Sequence, residues 1–135
     1  DMASTGHPIS KDELERLHDA KTGALLTVAV ELGALAANAS VKQLTALTRF
    51  GQRIGRAFQV VDDLLDVTQS TATQGKRAGA DARLGKNTFP GLMGVAESRA
   101  YASRLHQDAL AALAEADIHT GALRSLADQI VARRS

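Results

Sequence analysis

An apolar helical stretch that carries three aspartates constrains the fold of this chain more than any other feature of its sequence. Residues 58–66 read Phe-Gln-Val-Val-Asp-Asp-Leu-Leu-Asp. An α-helix advances about 100° per residue, so Asp62, Asp63 and Asp66 fall within one arc of about 100°. The same arc contains Gln59, Gly55, Gln52 and Thr48. The rest of the circumference is apolar and consists of Phe50, Ile54, Ala57, Phe58, Val60, Val61, Leu64 and Leu65. The pattern predicts a helix that is buried over most of its surface and polar along one side.

The three carboxylates are expected to bind a divalent cation. Asp62 and Asp66 are one helical turn apart and repel each other, and the surrounding apolar side chains leave them poorly solvated. They lie too far inside the helix to act as N-caps. A site built only from oxygen ligands suits Mg²⁺ that also carries substrate phosphates. The alternative is a solvated acidic face, which we favour less because it would expose the flanking leucines and valines to water.

Composition favours one all-α domain spanning residues 1–135. The chain is 44% hydrophobic and only 3% aromatic, with two prolines, and its apolar residues are largely alanine and leucine, which favour helices. The absence of cysteine excludes a disulfide framework, a thiolate zinc site and a catalytic thiol. No stretch approaches about 18 consecutive apolar residues, so a membrane-spanning helix is not expected.

Capping signals place the helix boundaries in the first half of the chain. A capping box at residues 10–13 opens a helix that ends at residues 37–38. A second capping box, at residues 40–43, opens the helix over residues 41–67 that carries the aspartates. Residues 69–88 contain three glycines and no apolar periodicity, and they are predicted to form a loop.

Three shorter segments are expected to complete the bundle. Pro90 predicts a short helix that ends at about Val95, and a longer helix follows over residues 97–115. Thr120 is the expected cap of the last helix, residues 121–133. The sides predicted to be buried carry Leu105, Leu110 and Leu113 on the longer helix and Leu123, Leu126, Ile130 and Val131 on the last one.

Lys21 lies in the middle of an apolar stripe on the first predicted helix. The stripe consists of Leu14, Leu17, Leu25 and Val28. A lysine on a buried side needs an anion, and the Thr22 hydroxyl with the looser backbone at Gly23 would complete a corner suited to phosphate. Lys76 and Lys86 each follow a glycine in the predicted loop and would supply cations opposite the metal. The alternatives are that Lys21 extends to the surface and that the loop lysines are ordinary surface residues.

Three stretches of the sequence resemble the C-terminal half of trans-polyprenyl diphosphate synthases, and among these the bacterial farnesyl diphosphate synthases. The stretches are Lys21-Thr22-Gly23-Ala24-Leu25, Gly55-Arg56-Ala57-Phe58-Gln59-Val60-Val61-Asp62-Asp63-Leu64-Leu65-Asp66-Val67, and the segment from Gly75-Lys76 through Gly79-Ala80-Asp81 to Leu84-Gly85-Lys86-Asn87-Thr88-Phe89-Pro90-Gly91-Leu92. The resemblance runs in register over residues 1–135. It implies an isoprenoid-synthase helical bundle, to which this chain contributes about five to six helices around a central cavity. It also implies Mg²⁺ as cofactor, isopentenyl diphosphate and an allylic diphosphate as substrates, and a cytoplasmic homodimer with no nucleic-acid partner and no membrane insertion.

The resemblance also implies roles for individual residues. Asp62, Asp63 and Asp66 match the second aspartate-rich motif, which is catalytic and holds Mg²⁺. The positions around the allylic diphosphate match Lys21, Thr22, Gln59, Lys76 and Lys86, and Lys21 is expected to be catalytic as well. Arg133 and Arg134 match the basic tail that closes over the isopentenyl diphosphate site; the alternative is a solvated helix end favoured by the helix dipole.

The implied reaction is a condensation in three steps. The allylic carbon–oxygen bond ionises, the isopentenyl double bond attacks the cation, and a proton leaves, which converts dimethylallyl or geranyl diphosphate towards farnesyl diphosphate.

The family's first aspartate-rich motif and its isopentenyl-diphosphate-binding basic residues have no counterpart in residues 1–135. The chain is therefore expected to be a C-terminal fragment that is inactive alone and self-associates through apolar faces. The alternatives are a geranylgeranyl or longer-chain synthase, a non-catalytic partner subunit of the same fold, and a purely structural helical module.

Overall fold

Six α-helices make up most of the part of the chain that the computed structural model describes, which comprises residues 9–18, 23–73, 87–118 and 121–133. In chain order they are α1 (Lys11–His18), α2 (Ala24–Ala36), α3 (Val41–Thr73), α4 (Phe89–Met93), α5 (Val95–Glu115) and α6 (Gly121–Ala132). These ranges contain no β-strand, in agreement with the all-α prediction.

Helix α3 is central and contacts each of the other five helices. Its predicted apolar surface is confirmed, since Phe50, Ile54, Ala57, Val60, Val61 and Leu64 are buried and Phe58 and Leu65 are half-buried. Predicted core residues of the other helices follow the same pattern: Leu14, Leu105, Leu113 and Ile130 are buried, and Leu17, Leu110, Leu123 and Val131 are half-buried. No described helix is long and apolar enough to cross a membrane.

Two glycines one turn apart let α2 lie close against α3. A Cβ atom added to Gly51 would lie 3.1 Å from the Cα of Thr27, and one added to Gly55 would lie 3.0 Å from the Cα of Gly23. Both distances are shorter than ordinary van der Waals contact between carbon atoms. Because the opposing atoms belong to the backbone, a larger residue at either glycine would push the two helices apart.

Both predicted capping boxes are present. The Glu13 N–H donates to Ser10 Oγ at 3.1 Å, and the Gln43 N–H donates to Ser40 Oγ at 3.1 Å. In the second box the bond is reciprocal, because the Ser40 N–H also donates to Gln43 Oε1 at 3.0 Å. These bonds satisfy N–H groups that have no partner within the helix, so α1 and α3 begin where the sequence predicts.

Within the range of the first predicted helix, the structure describes two helices, α1 and α2. Residues 19–22, which include the predicted phosphate ligands Lys21 and Thr22, lie outside the described residues. Asn38 ends α2 as predicted, with a φ of 57°, and the Ala39 N–H donates back to an α2 carbonyl oxygen at 3.0 Å.

Helix α3 extends to Thr73, which corrects both its predicted end at Val67 and the predicted start of the loop at residue 69. The Thr68 hydroxyl donates to two carbonyl oxygens of the preceding turn, at 2.9 and 3.2 Å, so this polar side chain is satisfied inside the helix. The sequence contains no glycine or proline between Val67 and Gly75. The rest of the predicted loop, residues 74–86, lies outside the described part of the chain.

Gly94 separates the short and long helices of the second half. Its φ is 85°, a value that side chains other than glycine rarely adopt. The short helix therefore ends at Met93 and α5 begins at Val95, two residues before the predicted start. The last helix ends at Ala132, close to the predicted boundary, and its expected cap, Thr120, lies outside the described residues.

Part of the surface predicted to be buried is exposed. Leu25 and Val28 on α2 are 72% and 49% exposed, and Leu126 on α6 is 41% exposed. Leu32 and Leu35, also on α2, are exposed as well. We call Leu25, Val28, Leu32 and Leu35 the outer face of α2. It is exposed because α2 packs on α3 through its other side, and no described residue covers this one.

Candidate active site

The aspartate motif lies in the second half of α3, and its three carboxylates differ in exposure. Asp63 is 5% exposed, whereas the Asp62 side chain is 44% exposed and Asp66 is exposed. The predicted polar arc is therefore not exposed to solvent along its whole length, since Asp63 and Gly55 are both buried. Asp62 and Asp66 remain as an exposed pair one helical turn apart.

Both carboxylate oxygens of Asp63 accept hydrogen bonds. Gln59 Nε2, one turn earlier on α3, donates to Oδ1 at 3.0 Å, and the Phe89 N–H at the start of α4 donates to Oδ2 at 3.1 Å. Burial raises the pKa of Asp63 above 3.8, the two hydrogen bonds lower it, and the neighbouring Asp62 and Asp66 raise it further. Asp63 thus joins the aspartate helix to α4.

The exposed pair has the chemistry of a partial Mg²⁺ site. Partial desolvation and the charge of Asp62 raise the pKa of Asp66 above 3.8, as expected for adjacent carboxylates that repel each other. Their hard oxygen atoms suit Mg²⁺, which prefers six oxygen ligands. Among the described residues no three His, Cys, Asp or Glu side chains converge on one point. The pair therefore fits Mg²⁺ as part of a ligand set that other oxygens would complete.

Arg133 lies against α3 beside the motif. Its Nη2 donates to the Phe58 carbonyl oxygen at 3.1 Å, and its guanidinium stacks 4.1 Å from the centre of the Phe58 ring. Its Nη1 lies 3.9 Å from Asp62 Oδ1, at the outer limit of an ion pair. The sequence predicted Arg133 in a tail over the isopentenyl diphosphate site, and the structure places it within reach of the first aspartate.

The predicted site residues divide into those that the structure brings together and those that it does not describe. Gln59, Asp62, Asp63, Asp66 and Arg133 lie together around the second half of α3. The remaining predicted ligands lie outside the described residues and comprise Lys21, Thr22, Lys76, Lys86 and Arg134.

A polar cluster that the sequence did not reveal ties α1 to the core. The Tyr101 hydroxyl on α5 donates to Glu15 on α1 and accepts from Arg56 Nη1 on α3 at 3.2 Å. Arg56 Nη1 also lies 3.7 Å from Glu15 Oε2. Burial, followed by the bond to Glu15, raises the pKa of Tyr101 to about 12. The only signal in the sequence was that Tyr101 is the single tyrosine, which carries no indication of its partners.

A groove of about 700 Å³ lies between α3, α5 and α6, and its lining includes Arg133, which lies 3.9 Å from Asp62. Its α3 wall includes Val61, Leu64 and Leu65, which belong to the apolar surface of the helix and not to the arc that carries Asp62 and Asp66. We assign the chemistry to the aspartate side of α3, because the groove is lined by Arg99 and Arg133 but by no described carboxylate.

The chain belongs to the polyprenyl synthetase family, whose model matches residues 1–123. It is 47% identical to the farnesyl diphosphate synthase of Escherichia coli (strain K12), over 98% of this chain and 46% of that protein. It is 44% identical to the mitochondrial geranylgeranyl pyrophosphate synthase 10 of Arabidopsis thaliana, over 100% of this chain and 41% of that protein. A crystal structure of a protein from Marinomonas sp. MED121, provisionally described as a farnesyl-diphosphate synthase, matches with a TM-score of 0.78 at 34% identity, over 97% of this chain and 43% of that one.

These matches confirm the resemblance and the prenyl-synthase helical fold. The chain spans less than half the length of each of the three relatives. The similar identities to a farnesyl and a geranylgeranyl synthase do not favour one product strongly over the other.

Proposed function

We propose that this chain forms one wall of the active site of a Mg²⁺-dependent prenyltransferase. The enzyme condenses isopentenyl diphosphate with an allylic diphosphate, dimethylallyl or geranyl, to give farnesyl diphosphate. The observation that carries the proposal is the pair of accessible carboxylates, Asp62 with a side chain 44% exposed and Asp66 exposed, on the central helix of a chain that belongs to the polyprenyl synthetase family.

The residues of the chain would act on the allylic diphosphate. The aspartate motif would hold Mg²⁺, which when bound supplies positive charge that stabilises the diphosphate leaving group. Lys21, Thr22, Lys76 and Lys86 would donate charge-assisted hydrogen bonds to the same diphosphate. The allylic carbon–oxygen bond breaks with its electron pair leaving on the diphosphate. The isopentenyl double bond then attacks the allylic cation, and the departing diphosphate takes the proton that is lost.

The rest of the site would come from a part of the fold that this chain does not contain. Mg²⁺ prefers six oxygen ligands and is usually bound by one or two carboxylates together with waters and substrate phosphates, so Asp62 and Asp66 would supply only part of its coordination. The outer face of α2 is an exposed row of leucines and valine, and such a patch is typical of a surface that another element covers. We expect the complete enzyme, in which this chain is combined with the remainder of the family fold, to be a cytoplasmic homodimer, with the first aspartate-rich motif and the isopentenyl diphosphate site in that remainder.

A geranylgeranyl synthase is the second candidate. It is supported by the 44% identity to the Arabidopsis thaliana synthase, close to the 47% identity to the Escherichia coli farnesyl synthase. Chromatography of the products made by the complete enzyme from isopentenyl and geranyl diphosphate would distinguish the two, because one adds one five-carbon unit to geranyl diphosphate and the other adds two.

The decisive test of the proposed reaction compares two aspartate variants of the complete enzyme. Asp62→Ala should abolish most of the Mg²⁺-dependent condensation, because it removes an exposed ligand. Asp108→Ala is a matched control, since Asp108 is an exposed aspartate on α5 away from the motif. The proposal is contradicted if the unmodified enzyme shows no condensation activity. It is also contradicted if the Asp62→Ala variant keeps as much activity as the Asp108→Ala variant.

A further inference from the structure

Three polar side chains from three helices meet beside α1. The Tyr101 hydroxyl on α5 donates to Glu15 on α1 and accepts from Arg56 Nη1 on α3 at 3.2 Å, and Arg56 Nη1 also lies 3.7 Å from Glu15 Oε2. Lys11, one turn before Glu15, places its ammonium 4.4 Å from the centre of the Tyr101 ring. Tyr101 is buried, and Glu15 and Arg56 are half-buried. We call Glu15, Arg56 and Tyr101 the α1 anchor.

Helix α1 depends on contacts with other helices for both its stability and its orientation. It has eight residues, fewer than a helix needs to be stable in water by itself, and among its described side chains Leu14 alone is buried. Apolar packing of one leucine is not directional, whereas the hydrogen bonds of the α1 anchor form only over a narrow range of distances and angles. The α1 anchor therefore determines how α1 is turned and where it lies on α3.

Helix α3 contacts the chain on both sides of the connection between α1 and α2. Before the connection, Arg56 bonds to the α1 anchor. After it, the neighbouring residue Gly55 packs against Gly23, since a Cβ atom added to Gly55 would lie 3.0 Å from the Gly23 Cα. The residues between these two contacts lie outside the described part of the chain, and they include Lys21. Asp62 follows Arg56 by six residues on α3, about 9 Å along the helix axis. One helix thus carries both the accessible aspartates and the contacts that flank Lys21.

We propose that the α1 anchor positions the predicted diphosphate ligand Lys21. By fixing how α1 lies on α3, the anchor sets where the chain that follows α1 begins, and so where the Lys21 ammonium meets a diphosphate held at the aspartates. Glu15, Arg56 and Tyr101 are positioning residues, because they act on the substrate through Lys21. The inference rests on the proposed function, which makes Lys21 a ligand of the allylic diphosphate.

A double-mutant cycle in the complete enzyme tests whether the α1 anchor acts through Lys21. The quantity measured is the dissociation constant for geranyl diphosphate, determined by calorimetry with Mg²⁺ and without isopentenyl diphosphate. Tyr101→Phe removes both hydrogen bonds of the hydroxyl and keeps the ring, whose centroid lies 5.8 Å from that of Phe89. It should raise the dissociation constant about fivefold, the size of coupling between residues of one network. In the Lys21→Ala background the same change should alter the constant by less than about twofold, because the residue that the anchor positions is gone.

Two controls separate positioning from a general loss of structure. Leu113→Ala removes a buried side chain of α5, about 18 Å along the helix axis from Tyr101. It should lower the melting temperature more than Tyr101→Phe does, and it should leave the dissociation constant for geranyl diphosphate within about twofold of the original value. The Michaelis constant for isopentenyl diphosphate should be unchanged in Tyr101→Phe, since Lys21 is predicted to bind the allylic diphosphate.

The inference is refuted if Tyr101→Phe weakens geranyl diphosphate binding by the same factor with and without Lys21, or if it leaves that binding unchanged. It is also refuted if Leu113→Ala weakens the binding as much as Tyr101→Phe does. Failure of the proposed function is distinct, since the unmodified enzyme would then bind no geranyl diphosphate and show no Mg²⁺-dependent condensation.

Discussion

The Tyr101 hydroxyl should make the stability of this protein fall at high pH. Its pKa is raised from 10.0 to about 12 in the folded chain, so the folded state holds this proton more tightly than the unfolded state does. A raised pKa contributes stability that is fully present below the unfolded value, about pH 10, and is lost as the pH rises through the folded value. The protein should therefore lose stability between pH 10 and pH 12.

The magnitude follows from the size of the shift. One pKa unit corresponds to about 1.4 kcal/mol, so the shift of about two units for Tyr101 gives an upper limit of about 2.7 kcal/mol. About half of this, roughly 1.4 kcal/mol, should be lost by pH 11, where the unfolded tyrosine is mostly ionised and the folded one is not. Tyr101 is 8% exposed, so screening by solvent should reduce this contribution only modestly.

The prediction can be tested by urea unfolding of the chain and of its Tyr101→Phe variant, each at pH 9 and at pH 11. Phenylalanine keeps the ring but cannot ionise, so any other effect of alkaline pH on stability should be the same in both proteins. The stability advantage of the unmodified chain over Tyr101→Phe should shrink by roughly 1.4 kcal/mol between the two pH values. Because the chain has one tyrosine, absorbance at the tyrosinate wavelength reports its ionisation directly. A tyrosine that titrates near pH 10 in the folded chain, with an advantage that does not change with pH, would refute the reasoning.

Three further predictions concern the active site and the chain as a unit. Asp62→Ala should reduce turnover of the complete enzyme by orders of magnitude and Asp66→Ala should reduce it less, and near-normal rates for both in a steady-state assay would contradict the metal assignment. Lys21→Ala and Lys86→Ala should each weaken allylic substrate binding by about 1.5–3 kcal/mol, the size of a charge-assisted hydrogen bond. Unchanged Michaelis constants with lowered melting temperatures would show instead that these lysines are structural. The 135-residue chain alone should catalyse no condensation and should self-associate through the outer face of α2. Sedimentation tests the self-association and a product assay tests the absence of condensation. A monomer that catalyses condensation would contradict both predictions.

The central helix and its two faces could be predicted from the sequence because both depend on local rules. The capping box formed by Ser40 and Gln43 is a contact between residues three apart, and it is present as predicted. The period of 3.6 residues per turn is a property of the helix itself, so the apolar surface around Ile54 and Val60 could be assigned before any neighbour was known. The end of α3 was harder to predict, because the hydrogen bonds of Thr68 to the preceding turn let a polar segment remain helical.

The sequence by itself determined the helical class, the starts of α1 and α3, and the presence of an acidic motif on one side of α3, since each depends on residues within one or two turns. Only the tertiary structure decided which aspartate is buried. Asp63 receives its second hydrogen bond from Phe89, 26 residues later in the chain, and no local pattern encodes that contact. The tertiary structure also decided that Leu14 is buried while Leu25, in the same predicted stripe, is exposed. Helical periodicity states which side of a helix is apolar, but burial requires another surface to pack against it, and that depends on the whole fold.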